Sequence, residues 1–442
     1  MQFEELLEKQ NHARRLASPV SSGPFGDIKE LLEARADERR DYLISITDNN
    51  ENSRVSYAGF CRHVLGCGRF LQNHGLRRGD RIATIAHNHW HTAVQYFAAW
   101  LLGLTVIPIN LEEKDKDIAY ILAESKIELA FVRTEYRTRF RKILELYDNL
   151  KHIEWIVCEG ETDNFTSQKG SLTIDDSSLA DSEAMIVFKT GDNEDPLGVV
   201  LTQANLLEGA RSVAECQKIR DTTRLMCVLP IYHVNIVVTT LLTSFFVGGS
   251  TVLRGVFRPD CFFRDIAEEQ VNIVSLEAPQ LQSLNSYYEE GIQIETPSLH
   301  YVTGEGTPLH AKEAERFEKR FGIPVVSAYS LPETSSYACC MPVNLPAEER
   351  RKWRSAYGFP SIGRPVSADE MAIHSPDGEV LGEKERGEVV IRGNNVMLTY
   401  YGDRKANEKA FKHGWLRSGD KGFYVNDEKG RPYFFVVGRM DD

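Results

Sequence analysis

Val187-Phe-Lys-Thr-Gly-Asp-Asn-Glu-Asp-Pro-Leu-Gly-Val199 has the layout of a phosphate-holding loop and charge of the wrong sign for one. Ahead of it, Ala184-Met-Ile-Val-Phe188 is a short apolar run that reads as a buried strand, and Val199-Val-Leu201 behind it reads as a second. Thr202 then precedes Leu206, Ala210, Val213 and Ala214, which are spaced as on a helix face, so a helix is expected to start near Thr202 with that hydroxyl as its cap. A glycine-bearing turn in this setting can aim backbone N–H groups at phosphate oxygens. Asp192, Glu194 and Asp195 nevertheless put three carboxylates where a phosphate would bring like charge, and Leu197 offers no ammonium group. On the loop alone, an acidic hairpin turn built from Gly, Asn, Asp and Pro is the simpler reading.

The rest of the chain sets bounds on what this loop can belong to. At 442 residues it is long enough for two or three domains, or for one large body of subdomains. Hydrophobic residues at 42% and charged residues at 26% are a folded balance and argue against disorder. A net charge of −12 with no long basic run argues against a nucleic-acid partner. The eight cysteines have no paired metal spacing and read as reduced core residues, which points to the cytoplasm. The acidic start, Met1-Gln-Phe-Glu-Glu5, lacks the basic-then-apolar order of a signal peptide. Ile236 to Val247 is the most apolar stretch, but it is short and broken by Thr239, Thr240, Thr243 and Ser244, so it is expected in the core and not across a membrane.

Helix and strand signals alternate from residue 25 onward. A helix is expected over Phe25 to Ala36, and Tyr42 to Ile46 with Ser53 to Tyr57 as a hairpin. Helices are expected over Tyr57 to His74, His91 to Leu104 and Asp115 to Ser125, and strands over Arg81 to Ala86, Val106 to Ile109 and Leu129 to Val132. A second such series runs to Val326, and after about Pro342 short strands with turn signals take over. The expected fold is therefore α/β: two doubly wound α/β subdomains plus a small β subdomain. The expected divisions are an extension at 1–24, α/β subdomains at 25–200 and 201–341, a β subdomain at 342–437 and a short end at 438–442.

Several clusters of residues could carry chemistry. His87-Asn-His-Trp-His91 would share one strand face and invites a metal, although no Cys or acidic cluster completes the set, and a loop running into a helix is the plainer reading. Leu229-Pro-Ile-Tyr-His233 follows a strand, which would put His233 at a carboxyl edge where open α/β sheets bind ligands. Tyr301-Val-Thr-Gly-Glu-Gly-Thr-Pro-Leu309 is another glycine-bearing turn after a strand. In Val326-Ser-Ala-Tyr-Ser-Leu-Pro-Glu-Thr334, Tyr329 could stack on a flat base and Glu333 could hold Mg²⁺ through carboxylate oxygen. Asp420 in Trp415-Leu-Arg-Ser-Gly-Asp420 could accept two ribose hydroxyls. Taken singly, each is as well explained as a structural residue.

Their order is more specific than any one of them. Leu229 to His233, Tyr329 to Glu333, Gly387-Glu-Val-Val-Ile-Arg-Gly393, Trp415 to Asp420 and Gly438-Arg-Met-Asp441 occur in the sequence in which they occur in the acyl-adenylate-forming enzymes. The chain resembles that family, which includes AMP-forming acyl-CoA synthetases, adenylation domains and luciferases, from about residue 25 to its last residue, and its acyl-CoA synthetase branch most. The resemblance implies a reaction that joins a carboxylic acid to ATP as acyl-AMP and then passes the acyl group to CoA, with Mg²⁺ as cofactor. By motif it implies nucleotide contacts at Thr190, Gly191 and Gly198 in the loop, and at Gly306, Thr307 and Pro308 along the adenine. Tyr329 would stack on the base, Asp420 and Arg439 would hold the ribose, and Glu333 would bind the metal. His233, Glu333 and Arg439 are the implied catalytic residues. Partners are then a small carboxylic acid and a nucleotide, with oligomeric state left open.

Departures from the pattern cluster on the phosphate chemistry. Where the family loop reads roughly Thr-Ser-Gly-Thr-Thr-Gly-x-Pro-Lys-Gly, this chain runs from Lys189 to Gly198 with the family's lysine position taken by Leu197. Pro332 replaces a threonine before Glu333, and the sequence ends at the family's hinge, before its small C-terminal domain and lysine. Each carboxylate facing a triphosphate would oppose binding by about 1 kcal/mol or more at an effective dielectric near 20. The rival expectation is therefore a non-catalytic relative that keeps the hollow as a binding or scaffolding module.

Overall fold

Alternating apolar runs and amphipathic stretches sort the chain into two sheets with helices packed on them. The computed structural model describes residues 3–15, 23–47, 49–85, 87–158, 165–189, 195–289, 292, 294–305 and 311–440. Among these, seven strands lie in the order Thr399–Tyr400, Leu197–Thr202, Glu183–Lys189, Thr105–Ile109, Arg81–Ile85, Leu129–Arg133 and Glu154–Cys158. All pairings from Glu183–Lys189 to Glu154–Cys158 are parallel, and Thr105–Ile109 near the middle is buried at every position. Burial on both faces is what a continuous apolar strand under helices requires.

Thirteen strands pair in series in the other sheet. Its parallel part runs through Val325–Ser330, Tyr301–Glu305, Ile273–Glu277, Arg224–Cys227, Ser250–Arg254 and Asp41–Ile46. Asn52–Ser56 closes one edge as the expected hairpin, and antiparallel strands from residues 337–439 extend the other. The fold is thus the expected α/β class with a β-rich end. Sheet membership crosses the expected divisions: the hairpin at 41–56 joins strands from the second half of the chain, and Thr399–Tyr400 pairs with Val199 and Val200.

One helix ties the two sheets together. Trp90–Leu101 is buried on all sides, as its apolar sequence demands. The Trp100 indole donates to the Ala184 carbonyl in one sheet, and the Tyr96 hydroxyl donates to Ile231 beyond a strand end of the other. The apolar stretch Ile236 to Val247 is a core helix with a π turn over Val237–Leu242. Its threonines serve that turn: the Thr240 hydroxyl donates to Ile236 and that of Thr243 to Val238, five residues back. No described helix is long and apolar enough to cross a membrane.

Most expected elements occupy their places. Thr202 caps Gln203–Gln217 in a reciprocal box with Asn205. The helices Arg137–Leu146 and Ala278–Tyr287 and the strand Glu154–Cys158 were not legible in the sequence. The first, Arg137-Thr-Arg-Phe-Arg-Lys-Ile-Leu-Glu-Leu146, buries only Phe140, Ile143 and Leu144, a narrow stripe hidden among charges.

Candidate functional site

The candidate site lies where carboxyl ends of parallel strands meet the β-rich end. Val325–Ser330 carries Tyr329 and turns through Pro332–Thr334, which buries Glu333 to 3% exposure. Pro332 sits in the first position of this short turn, where a missing N–H costs least. Glu333 Oε1 accepts two hydrogen bonds, from Lys189 Nζ at 2.7 Å and from the Tyr400 hydroxyl at 2.6 Å. Its other oxygen, Oε2, is buried with no hydrogen-bond partner among the described residues. The Met397 N–H bonds the Glu333 carbonyl at 2.7 Å, so both ends of this residue are fixed.

Tyr329 has a different carboxylate partner. Its hydroxyl donates to Asp420 Oδ2 at 2.5 Å, while Asp420 Oδ1 accepts from Arg439 Nη1 at 2.7 Å. Burial and the neighbouring Asp420 charge push the Tyr329 phenol well above its ordinary value, so it stays a donor. Asp420 is positioned by Ser418, whose hydroxyl accepts the Asp420 N–H, and by Gly419 at φ +74°. That positive φ lies in the left-handed region, which favours glycine at this turn. Although both Asp420 oxygens already accept, a carboxylate offers about four lone-pair sites, which leaves room for two ribose hydroxyls.

His233 caps the short turn Val234–Ile236 after the strand Arg224–Cys227. Surrounding protein pushes its imidazole below the ordinary value even though the side chain keeps exposed surface, so the neutral ring prevails at pH 7. The turn is clamped by Asn88, which donates to the Leu229 carbonyl and accepts from the Ile231 N–H. Two residues on, Asn235 donates to Glu305 Oε2 at 2.6 Å. Glu305 ends its own strand, is 3% exposed, and also accepts from the Thr303 and Tyr337 hydroxyls. Burial raises its carboxyl despite those donors. Desolvation first, and the Glu305 charge second, raise Glu277 on the adjacent strand.

The structure therefore gathers Tyr329, Asp420 and Arg439 into one chain of hydrogen bonds and anchors Glu333 beside it. Thr190, Gly191, Gly306, Thr307 and Pro308 lie outside the described residues, as do Asp192 and Glu194. Asp195 is exposed. Gly198 is in a strand; its carbonyl accepts the Tyr401 N–H, and a Cβ there would press on Ile186 and Phe188 at 3.0 to 3.1 Å. At Glu333, expected to hold a divalent metal, Oε1 accepts from the ammonium of Lys189, which ends a strand of the other sheet. The histidine stretch does not assemble a metal centre, and no group of three or more ligand side chains occurs among the described residues. Burial depresses His89 to about 4 and His91 to about 3, the behaviour of neutral core rings. Within that stretch Asn88 is the working residue. Tyr400, Asn235 and Glu305 escaped the sequence reading. The aromatic pair at Tyr400 and Tyr401, just before the Gly402-Asp403 turn, was the one available signal for the first.

Parallel strands that gather a ring, carboxylates and cations at their carboxyl ends form a ligand-binding edge of an α/β protein. The chain belongs to the AMP-binding enzyme family, whose model matches residues 32–401. It is similar to a sulfoacetate–CoA ligase of Cupriavidus necator, 26% identical over 427 residues that cover 95% of this chain and 79% of the relative. An oxalate–CoA ligase of Arabidopsis thaliana is 26% identical over 433 residues, covering 96% and 80%. Among solved structures, the N-terminal domain of FACL13 from Mycobacterium tuberculosis superposes with a TM-score of 0.82 at 23% identity, covering 93% of this chain and 99% of that one. That likeness shows the fold.

Proposed function

We propose that this chain is an AMP-forming acyl-CoA ligase, activating a carboxylic acid with ATP and transferring the acyl group to CoA. The observation that carries the proposal is the Tyr329–Asp420–Arg439 chain of hydrogen bonds at a carboxyl strand edge, in a member of the AMP-binding family. Named relatives that are CoA ligases support the same class.

In this reading Asp420, held by Arg439, accepts the ribose hydroxyls, and the Tyr329 ring offers a face to the adenine. A carboxylate oxygen of the acid attacks the α-phosphorus, the bond to the β-phosphate oxygen breaks, and pyrophosphate leaves. A thiolate then attacks the acyl carbonyl and AMP leaves. Negative charge grows on the phosphoryl oxygens in the first step, and fixed donors and cations must offset it. Lys189 is a candidate cation for that task. His233, as a neutral ring, can donate or accept one hydrogen bond to the acid or the phosphate without adding charge.

Trapping with hydroxylamine tests this reading. Full-length gene product, ATP and a panel of carboxylic acids should yield an acyl hydroxamate with at least one acid, and a CoA thioester when CoA replaces hydroxylamine. If AMP binds but no acid in the panel is activated, the rival reading of a nucleotide-binding module without catalysis stands instead.

A further inference from the structure

Lys189 and Leu197 face each other across one rung of the antiparallel hairpin that frames the phosphate loop. Side chains opposite one another in such a pair project from the same face of the sheet, roughly 5 Å apart at Cβ. Leu197 holds the position where the resemblance expects lysine. The cation missing from one strand is thus present on its cross-strand partner. From there the ammonium reaches Glu333 Oε1 at 2.7 Å, bridging the two sheets, and the Tyr400 hydroxyl fills the same oxygen. The lysine side chain is 42% exposed and the carboxylate 4%, so the charge on the open side of the pair belongs to the ammonium.

We infer that Lys189 is a tethered cation standing in for a divalent ion on Glu333, so that this site binds adenosine monophosphate and acyl-adenylate without Mg²⁺. The inference rests on the nucleotide reading above. A divalent ion approaching Glu333 Oε1 would meet an ammonium in contact with it. The second oxygen, Oε2, is shut away from solvent. An ammonium on a strand end needs no diffusible partner and is in place beside Glu333 whether or not a divalent ion is present.

Calorimetric titration of AMP into the full chain, once in EDTA and once in excess Mg²⁺, tests this together with Lys189→Met and Lys189→Arg. The wild-type affinity should change less than about twofold between the two buffers, whereas Lys189→Met should lose about tenfold in EDTA and recover most of it in Mg²⁺. Lys189→Arg should behave as wild type, which separates loss of charge from misfolding. A wild-type loss of about tenfold in EDTA, or a Lys189→Met affinity in EDTA equal to wild type, would overturn the assignment. Melting temperatures of Lys189→Met, Glu333→Gln and the double variant supply a readout free of nucleotide. Non-additive losses are expected from a direct contact. Additive losses with AMP binding intact overturn the lysine assignment alone, and absence of AMP binding in both buffers overturns the nucleotide reading beneath it.

Discussion

The hydroxyl of Tyr329 lies 2.5 Å from Asp420 Oδ2 although four strand-to-strand steps separate their strands in the sheet order. Laid flat, those steps would span about 19 Å, at roughly 4.8 Å each. The sheet must therefore curl on itself here, and the curl is what brings the tyrosine hydroxyl onto the carboxylate. Tyr337–Cys340, Ser361–Pro365 and Pro432–Arg439 form the intervening wall, and register shifts occur at three of the four pairings along it. Bulges of that kind sharpen bending and twist.

Tyr329→Phe should remove the donor to Asp420 and cost about 1–2 kcal/mol of stability, measured by chemical denaturation. Its effect on AMP affinity should be small, because the ring remains. Tyr329→Ala should weaken AMP binding by about 5- to 150-fold, the range of a lost base–aromatic stack.

Glu305 gives a pH dependence with a definite sign. Its carboxyl is raised above the ordinary 4.5 by burial, so the folded state binds a proton that the unfolded state has already released. Stability from this residue is therefore fully present below about 4.5 and is lost as pH rises through the folded value. Glu305→Gln, which keeps the hydrogen-bonding shape without the charge, should be more stable relative to wild type at pH 8 than at pH 4. Denaturation midpoints at the two pH values check this, and an equal difference at both would contradict it.

Asn205 joins three parts of the fold. Its side chain closes the helix cap with Thr202 and donates to the carbonyls of Asn394 and Val396 at 2.8 and 3.0 Å. Asn205→Ala should cost about 2–4 kcal/mol, the sum of a lost cap and two buried acceptors. Urea denaturation measures this, and a loss near zero would mean the junction is held elsewhere.

Elements with a broad apolar face, such as Tyr57–Asn73 and Trp90–Leu101, were legible because burial dictates their residue types at helical spacing. Strand types were legible for the same reason, but strand partners were not. Nothing local in Tyr42-Leu-Ile-Ser-Ile46 records that it pairs with Thr251 to Arg254, some two hundred residues later. In the site, Tyr329 and Asp420 stood out through their turns. The Lys189–Glu333 contact did not, because it depends on two strand ends from different sheets arriving at the same place. Tyr400 was hidden for that reason too, and the buried Glu305 was masked by the glycines around it.

Acid-dependent exchange of labelled pyrophosphate into ATP by the full-length gene product, wild type beside Asp420→Ala, tests the central claim most directly. The account predicts exchange with at least one carboxylic acid in wild type and a loss of about 100-fold or more in Asp420→Ala, the scale expected when a buried charged contact to the nucleotide is removed. Exchange absent from wild type with every acid, or undiminished in Asp420→Ala, would contradict it.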